Sequence, residues 1–214
     1  MKDAQGDPAY GRTNWRRFAV AVGVPTVVAG GLVVALAQGA LAASFSVAGP
    51  QFKLSADRLD GTGFTQYSSK LPTETVQQQT GQKFVVAAMS GIDSAKITNL
   101  CQSVAAGPVV LRIEAGKDAQ RPVVADDLLI GMSELSGDAK FTNIDIGQDA
   151  STLDADEGPG ETKEHGDVGG FGQQAQRVEI DGLRQQAYMT SASTFRLTGM
   201  SLKLFFAQSG KECF

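Results

Sequence analysis

The chain is poor in the residues on which most enzyme chemistry depends. One histidine, His165, and two cysteines, Cys101 and Cys213, are all that 214 residues supply. A Ser–His or Cys–His pair therefore has a single imidazole to draw on, and a zinc site built from thiolates and imidazoles lacks ligands. Basic residues are few as well. The formal charge is −4, with no basic cluster beyond the N-terminus, which argues against nucleic acid as a partner. Helix-favouring Leu–Glu–Lys runs are scarce, so a helical bundle is not expected. No P-loop or dinucleotide fingerprint exists: Gly158-Pro159-Gly160 and Gly169-Gly170 stand in loop-like text, not between strand and helix.

The serine-hydrolase elbow Gly-x-Ser-x-Gly is missing too. Its nearest approach is Gly131-Met132-Ser133-Glu134-Leu135, without the second glycine, and Gly91-Ile92-Asp93-Ser94 does not complete a Gly-Asp-Ser-Leu block. His165 lies in an acidic, glycine-rich stretch, a poor support for a base that must be held in place. Asp154, Asp156 and Glu157 offer calcium ligands, yet the twelfth position counted from Asp154 is His165, where a closing acid belongs. The expectation is a non-catalytic chain with no cofactor, no metal and no catalytic residue.

Charge is absent from one long stretch, Phe18 to Phe52, preceded by Arg12, Arg16 and Arg17. Its first part, Phe18 to Ala37, is about the twenty apolar residues that span a bilayer as a helix. Arginines before it and none just after it predict a cytoplasmic N-terminus and an exported remainder, with Trp15 at the interface. Two readings stay open. The segment is a retained single-pass anchor, or it is a signal peptide cleaved after Ala42, since Ala40-Leu41-Ala42 is a small-x-small site. Arg16-Arg17 followed directly by Phe18 is an incomplete twin-arginine motif. The expected layout is a cytoplasmic tail at 1–17, a membrane or signal segment at 18–42, and an exported β-domain at 43–214.

What the exported part does contain is Gly, with Val, Ile, Thr, Phe and Ser in short blocks, the composition of strands joined by turns. Alternation begins at Phe45, Val47, Phe52 and Leu54. Phe84–Met89, Val109–Ile113, Val123–Ile130 and Leu202–Phe206 read as further strands, and Thr194–Phe206 as the clearest alternating pair. Pro72–Gln82 reads as a polar loop or a short helix. A pattern recurs at Leu59-Asp60-Gly61, Ile97-Thr98-Asn99-Leu100, Phe141-Thr142-Asn143-Ile144, Ile180-Asp181-Gly182-Leu183 and Leu197-Thr198-Gly199-Met200. Because Asn and Gly tolerate positive φ, each copy fits a tight turn or a bulge. Near-regular spacing of the first four predicts stacked β-units, as a solenoid-like wrap or a meandering sheet or sandwich.

Gln148 to Gln176 departs from this text. It carries seven acidic residues against Lys163 alone, a balance of −6 that equals the balance of everything after Ala42. A stretch that polar reads as a solvated insertion. In an exported chain, an even pair of cysteines predicts one disulfide, Cys101 to Cys213, tying the C-terminal strand to the strand after Asn99. Buried free thiols are the alternative.

Several segments taken together, WRRFAVAVGVP, ALAASFSVAGPQFKLSADRLDGTGFTQY, SAKITNLCQSV, KFTNIDIG, GFGQQA, TFRLTGMSLKL and the closing Glu-Cys-Phe, resemble a family of actinobacterial envelope proteins. Members join an N-terminal membrane segment to one Gly-rich β-domain ending in a near-terminal Cys, and some carry the label "cholesterol esterase". The resemblance implies architecture and location but no catalytic residues. It favours a β-domain displayed outside the membrane for structural or interaction purposes, with an envelope protein or lipid as partner. The other two readings are a hydrophobe carrier with an apolar groove and the esterase of the label.

Overall fold

The computed structural model describes residues 51–72, 84–155, 165–206 and 210–214. The expected cytoplasmic tail, the membrane or signal segment and nearly all of Pro72–Gln82 lie outside them. Among the described residues no helix is long and apolar enough to cross a membrane. The chain is mainly β: β1 (Phe52–Pro72), β2 (Phe84–Thr98), β3 (Leu100–Ala106), β4 (Val109–Ala115), β5 (Val123–Asp149), β6 (Phe171–Ser191), β7 (Thr194–Arg196) and β8 (Ser201–Phe206), with a 3-10 turn at Ala150–Thr152.

The strands neither stack as solenoid coils nor pack as two sheets. β1 pairs with β2 on one edge and β6 on the other, and β5 pairs with both β2 and β6, so four antiparallel strands close a barrel-like ring. The stagger is large. Stepping from Ile130 to Ser90, Gln66 and Gln173 returns to β5 at Ile146, sixteen residues farther along. Such shear tilts the strands steeply and widens a ring of few strands enough to hold side chains. Small and large residues share the interior: Ala95, Ala125 and Ala187 are fully buried beside Val123 and Val178.

The recurring Asn and Gly positions are explained by how these long strands bend. β1 buries Leu54 and Ala56, then Leu59, skipping one place in the two-residue alternation. Its neighbours skip in the same row, from Ile97 to Leu100 and from Ile180 to Leu183. Asn99 (φ 53) and Gly182 (φ 61) occupy that row in the left-handed region, and the Asn99 amide donates to Asp57 Oδ2 at 3.1 Å. A second row holds Gly63 (φ 64), Asp127 (φ 51) and Asn143 (φ 53), where the Asn143 amide donates to Gln176 Oε1 at 2.6 Å. The first four copies therefore mark kinks made in concert across adjacent strands, not repeats of a stacked unit, while the fifth, with Gly199 at φ 66, is a turn between β7 and β8. In the first copy the left-handed residue is Gly63, two places after the Gly61 of the pattern.

Beyond Asn99 the ring opens. β3 continues β2, pairs with Phe52–Ser55 at the start of β1, and carries β4 and then β8 outward as an apron. Thr194–Phe206 does form two strands, but they do not pair with each other: β7 adds to β5 and β8 to β4. Thr198 between them accepts from the Gly116 N–H at 2.8 Å, and the Gly116 carbonyl accepts from Asn99 N–H at 2.7 Å. This knot of backbone bonds joins ring to apron.

The other end of the ring is closed by the roots of the acidic segment. Leu153 is buried with Tyr67, Leu71, Ala87, Met89 and Ala150. Asp149 organises the turn: Oδ1 accepts from Ser151 N–H at 3.0 Å and Oδ2 from Gly169 N–H at 2.8 Å. The segment expected as a solvated insertion is thus folded at both ends, while its residues 156–164, including Asp156 and Glu157, lie outside the described set.

Candidate functional site

The apron has two unlike faces. Because successive side chains on a strand alternate, Ser103, Val110, Arg112, Glu114, Lys203 and Phe205 share the back face. The C-terminal tail lies on it. Cys213 is bonded to Cys101 of β3, with Cα atoms 5.8 Å apart and a sequence separation of 112. The expected disulfide is present, although Cys213 belongs to an irregular tail beyond β8, not to a strand. The Cys213 N–H donates to Ser103 Oγ at 3.0 Å. Lys53 donates to Glu212 at 3.1 Å and to the Phe214 carbonyl at 3.0 Å, and Lys53 and Arg184 both sit over the Phe214 ring.

Beside this clamp is a cleft of about 570 Å³ lined by Ser55, Asp57, Asn99, Arg112, Glu114, Lys117, Ser136 and Arg184. Glu114 is its electrostatic centre. The carboxylate, 14% exposed, takes Arg112 Nη2 at 2.6 Å and Lys117 Nζ at 2.9 Å. The hydrogen bond from Lys117, with the charge of Arg112, holds its pKa below the usual carboxylate range against the opposing effect of burial. The cleft is therefore polar, lined by Arg112, Lys117 and Arg184 together with Asp57 and Glu114. It can bind polar groups; it presents no thiol, imidazole or activated hydroxyl to react with them.

Ser133 and His165, which an esterase would need side by side, stand in different settings, one inside a long strand and the other in the return of the acidic segment. Ser133 lies inside β5, where Gln51 Nε2 donates to its hydroxyl at 2.6 Å and its own hydroxyl is 3.4 Å from the Gln186 carbonyl. Gln186 pairs with Lys53, at the start of β1. His165 precedes Gly166, whose N–H bonds to the Ala150 carbonyl at 3.1 Å and which abuts Tyr67 near the far end of β1. Ser133 also sits in a continuous strand, not on the strand-to-helix turn that exposes a hydrolase nucleophile. No group of three or more His, Cys, Asp or Glu side chains could hold a metal ion among the described residues.

Sequence reading missed a cross-strand ladder on the outside of the ring. Arg58 donates to Asp181 at 2.9 Å and pairs with Glu179; Arg177 meets Asp60 at 2.5 Å, and Lys140 meets Glu179 at 3.1 Å. Its signal, the acids Asp60, Glu179 and Asp181 interleaved with Arg58, Lys140 and Arg177 on adjacent strands, needs the strand pairing to be visible. It also missed Gln185, 2% exposed, which points into the ring with Leu183 and Ala187.

The fold and its surfaces define an all-β, barrel-like domain with an open apron clamped by one disulfide. The chain belongs to the family of unknown function DUF6230, whose model matches residues 48–214. No curated protein and no solved structure matches it.

Proposed function

We propose that this chain is a non-catalytic cell-envelope protein, held to the cell membrane by Phe18–Ala37 with its β-domain displayed outside for a structural or interaction role. The observation that carries this reading is the union of the uncharged Phe18–Phe52 stretch with both cysteines joined in one disulfide. Such bonds persist in oxidising compartments. The finer affiliation with actinobacterial envelope proteins belongs to the same reading. The test is membrane fractionation of intact cells with external protease. Protection of 1–17, cleavage after residue 42 and a non-reducible shift on alkylation only after reductant support it. A soluble chain with free thiols would end it.

The carrier reading draws support from Leu202, Leu204 and Phe206, exposed on one face of β8. The face is open, however, and the ring interior is filled by side chains. Lipid extracted from detergent-free protein and identified by mass spectrometry would favour the carrier. For the esterase of the label, ester hydrolysis abolished by both Ser133→Ala and His165→Ala is required, and the setting of Ser133 in a long strand argues against it.

A further inference from the structure

The inner face of the apron is a continuation of the ring's own interior. Leu100 and Ala115, in the first row past the kink, are buried in the main core. Farther out the same face passes to Ile113, Leu111 and Val109 on β4 and to Leu202, Leu204 and Phe206 on β8, paired row by row. Exposure climbs along β8: 52% at Leu202, 68% at Leu204 and 84% at Phe206. The charged residues of β4 and β8, Arg112, Glu114 and Lys203, all alternate to the back face, where the tail lies. What remains is a sheet face free of charge and apolar apart from Gln102, with no element over it among the described residues. Surfaces of this kind mark contact with another apolar phase.

Where the chain enters the fold indicates which phase. Phe52, Val104, Leu111 and Leu204 form one row across β1, β3, β4 and β8. Phe52, the first residue of β1, thus shares this face, at the same end of the sheet as the Gly107 turn and Phe206. The residues before Phe52 are uncharged back to Phe18 and include the bilayer-length run Phe18–Ala37. We infer that the inner face of the β3–β4–β8 apron rests in the interfacial zone of the lipid bilayer, with Leu202, Leu204 and Phe206 among the acyl chains. This rests on the membrane-anchored reading above and adds a second, folded contact to it. A sheet face lying flat buries apolar side chains yet leaves the open edge of β8 near headgroups and water, which satisfy its backbone groups; a sheet edge driven into hydrocarbon would leave them unmet.

The experiment uses the full chain with its disulfide intact, incorporated into phosphatidylcholine–phosphatidylglycerol vesicles and separated by flotation. An environment-sensitive fluorophore is placed in turn at Leu204→Cys, Phe206→Cys, Lys203→Cys on the back face, and Ile146→Cys at the other end of the ring. Expected are a blue-shifted emission at 204 and 206 that nitroxide-labelled lipid quenches, and water-like, unquenched emission at 203 and 146. Water-like emission at 204 and 206 in floated protein would overturn the inference while leaving the anchor reading intact. A blue shift there that labelled lipid fails to quench would assign the face to protein, a second copy or the chain's own N-terminal segment, and would also overturn it. A chain that does not float would remove the anchor reading and this inference together.

Discussion

Asn99 and Asn143 hold left-handed backbone that side chains other than Gly, Asn and Asp rarely adopt. Asn143→Val should cost about 1–3 kcal/mol, the range for a strained backbone site, whereas Asn143→Gly should recover most of it. Urea denaturation of the two variants separates backbone strain from loss of the bond to Gln176, which both remove. Two carboxylates set the acid limb of stability. Glu114 is held below its ordinary pKa by Lys117 and Arg112, and Asp149 by the N–H of Ser151, its hydroxyl and the N–H of Gly169. A depressed folded pKa contributes stability above the unfolded value, about 4, and loses it as pH falls through the folded one. Melting temperature should therefore drop below about pH 4. Glu114→Gln and Asp149→Asn should melt lower than the parent at neutral pH and converge with it in acid.

At the scale of elements, the disulfide and the buried turn fasten opposite ends. Chain-entropy arguments give about 4–5 kcal/mol for closing a loop of some hundred residues. The loss in Cys213→Ser should not be uniform. Hydrogen exchange should rise first in β4, β8 and the tail, because the apron has one closed face and no ring to hold it, while β1 and β6 keep their protection. Uniform acceleration would mean that the apron is not a separate unit of stability. Leu153→Ala should cost about 2–5 kcal/mol as a cavity in a small cluster, read as a lowered urea midpoint.

For the molecule as a whole, the decisive feature is that one surface is inside at one end and outside at the other. The four-stranded ring closes over its apolar face; the apron, three strands past the kink, has nothing opposite it among the described residues. An open, apolar sheet edge invites self-association. Sedimentation of a Leu204→Asp, Phe206→Asp double variant in detergent-free buffer should show less aggregate than the parent, with an unchanged melting temperature because both residues are already exposed.

How much of this was visible beforehand follows from the range of the interactions. Strand character was local: Val–Val–Leu–Arg–Ile and Leu–Lys–Leu–Phe–Phe alternate within a few residues, and Asn or Gly at the kinks answers a backbone demand confined to one residue. The pair Cys101–Cys213 was legible from number and compartment alone. The solenoid expectation failed because spacing along the chain was read as stacking, whereas the kinks align across strands through pairings such as Leu59 with both Ile97 and Ile180. Thr194–Phe206 read as a pair of alternating strands, but alternation specifies a strand and not its neighbour. The candidate cleft was hidden for the same reason, as Asp57, Glu114 and Arg184 meet only after β1, β4 and β6 are placed. The sequence by itself determined that strands form and where several of them kink. Only tertiary structure decided that they close into a ring and leave one apolar face open, since closure depends on long-range register, which no local pattern encodes.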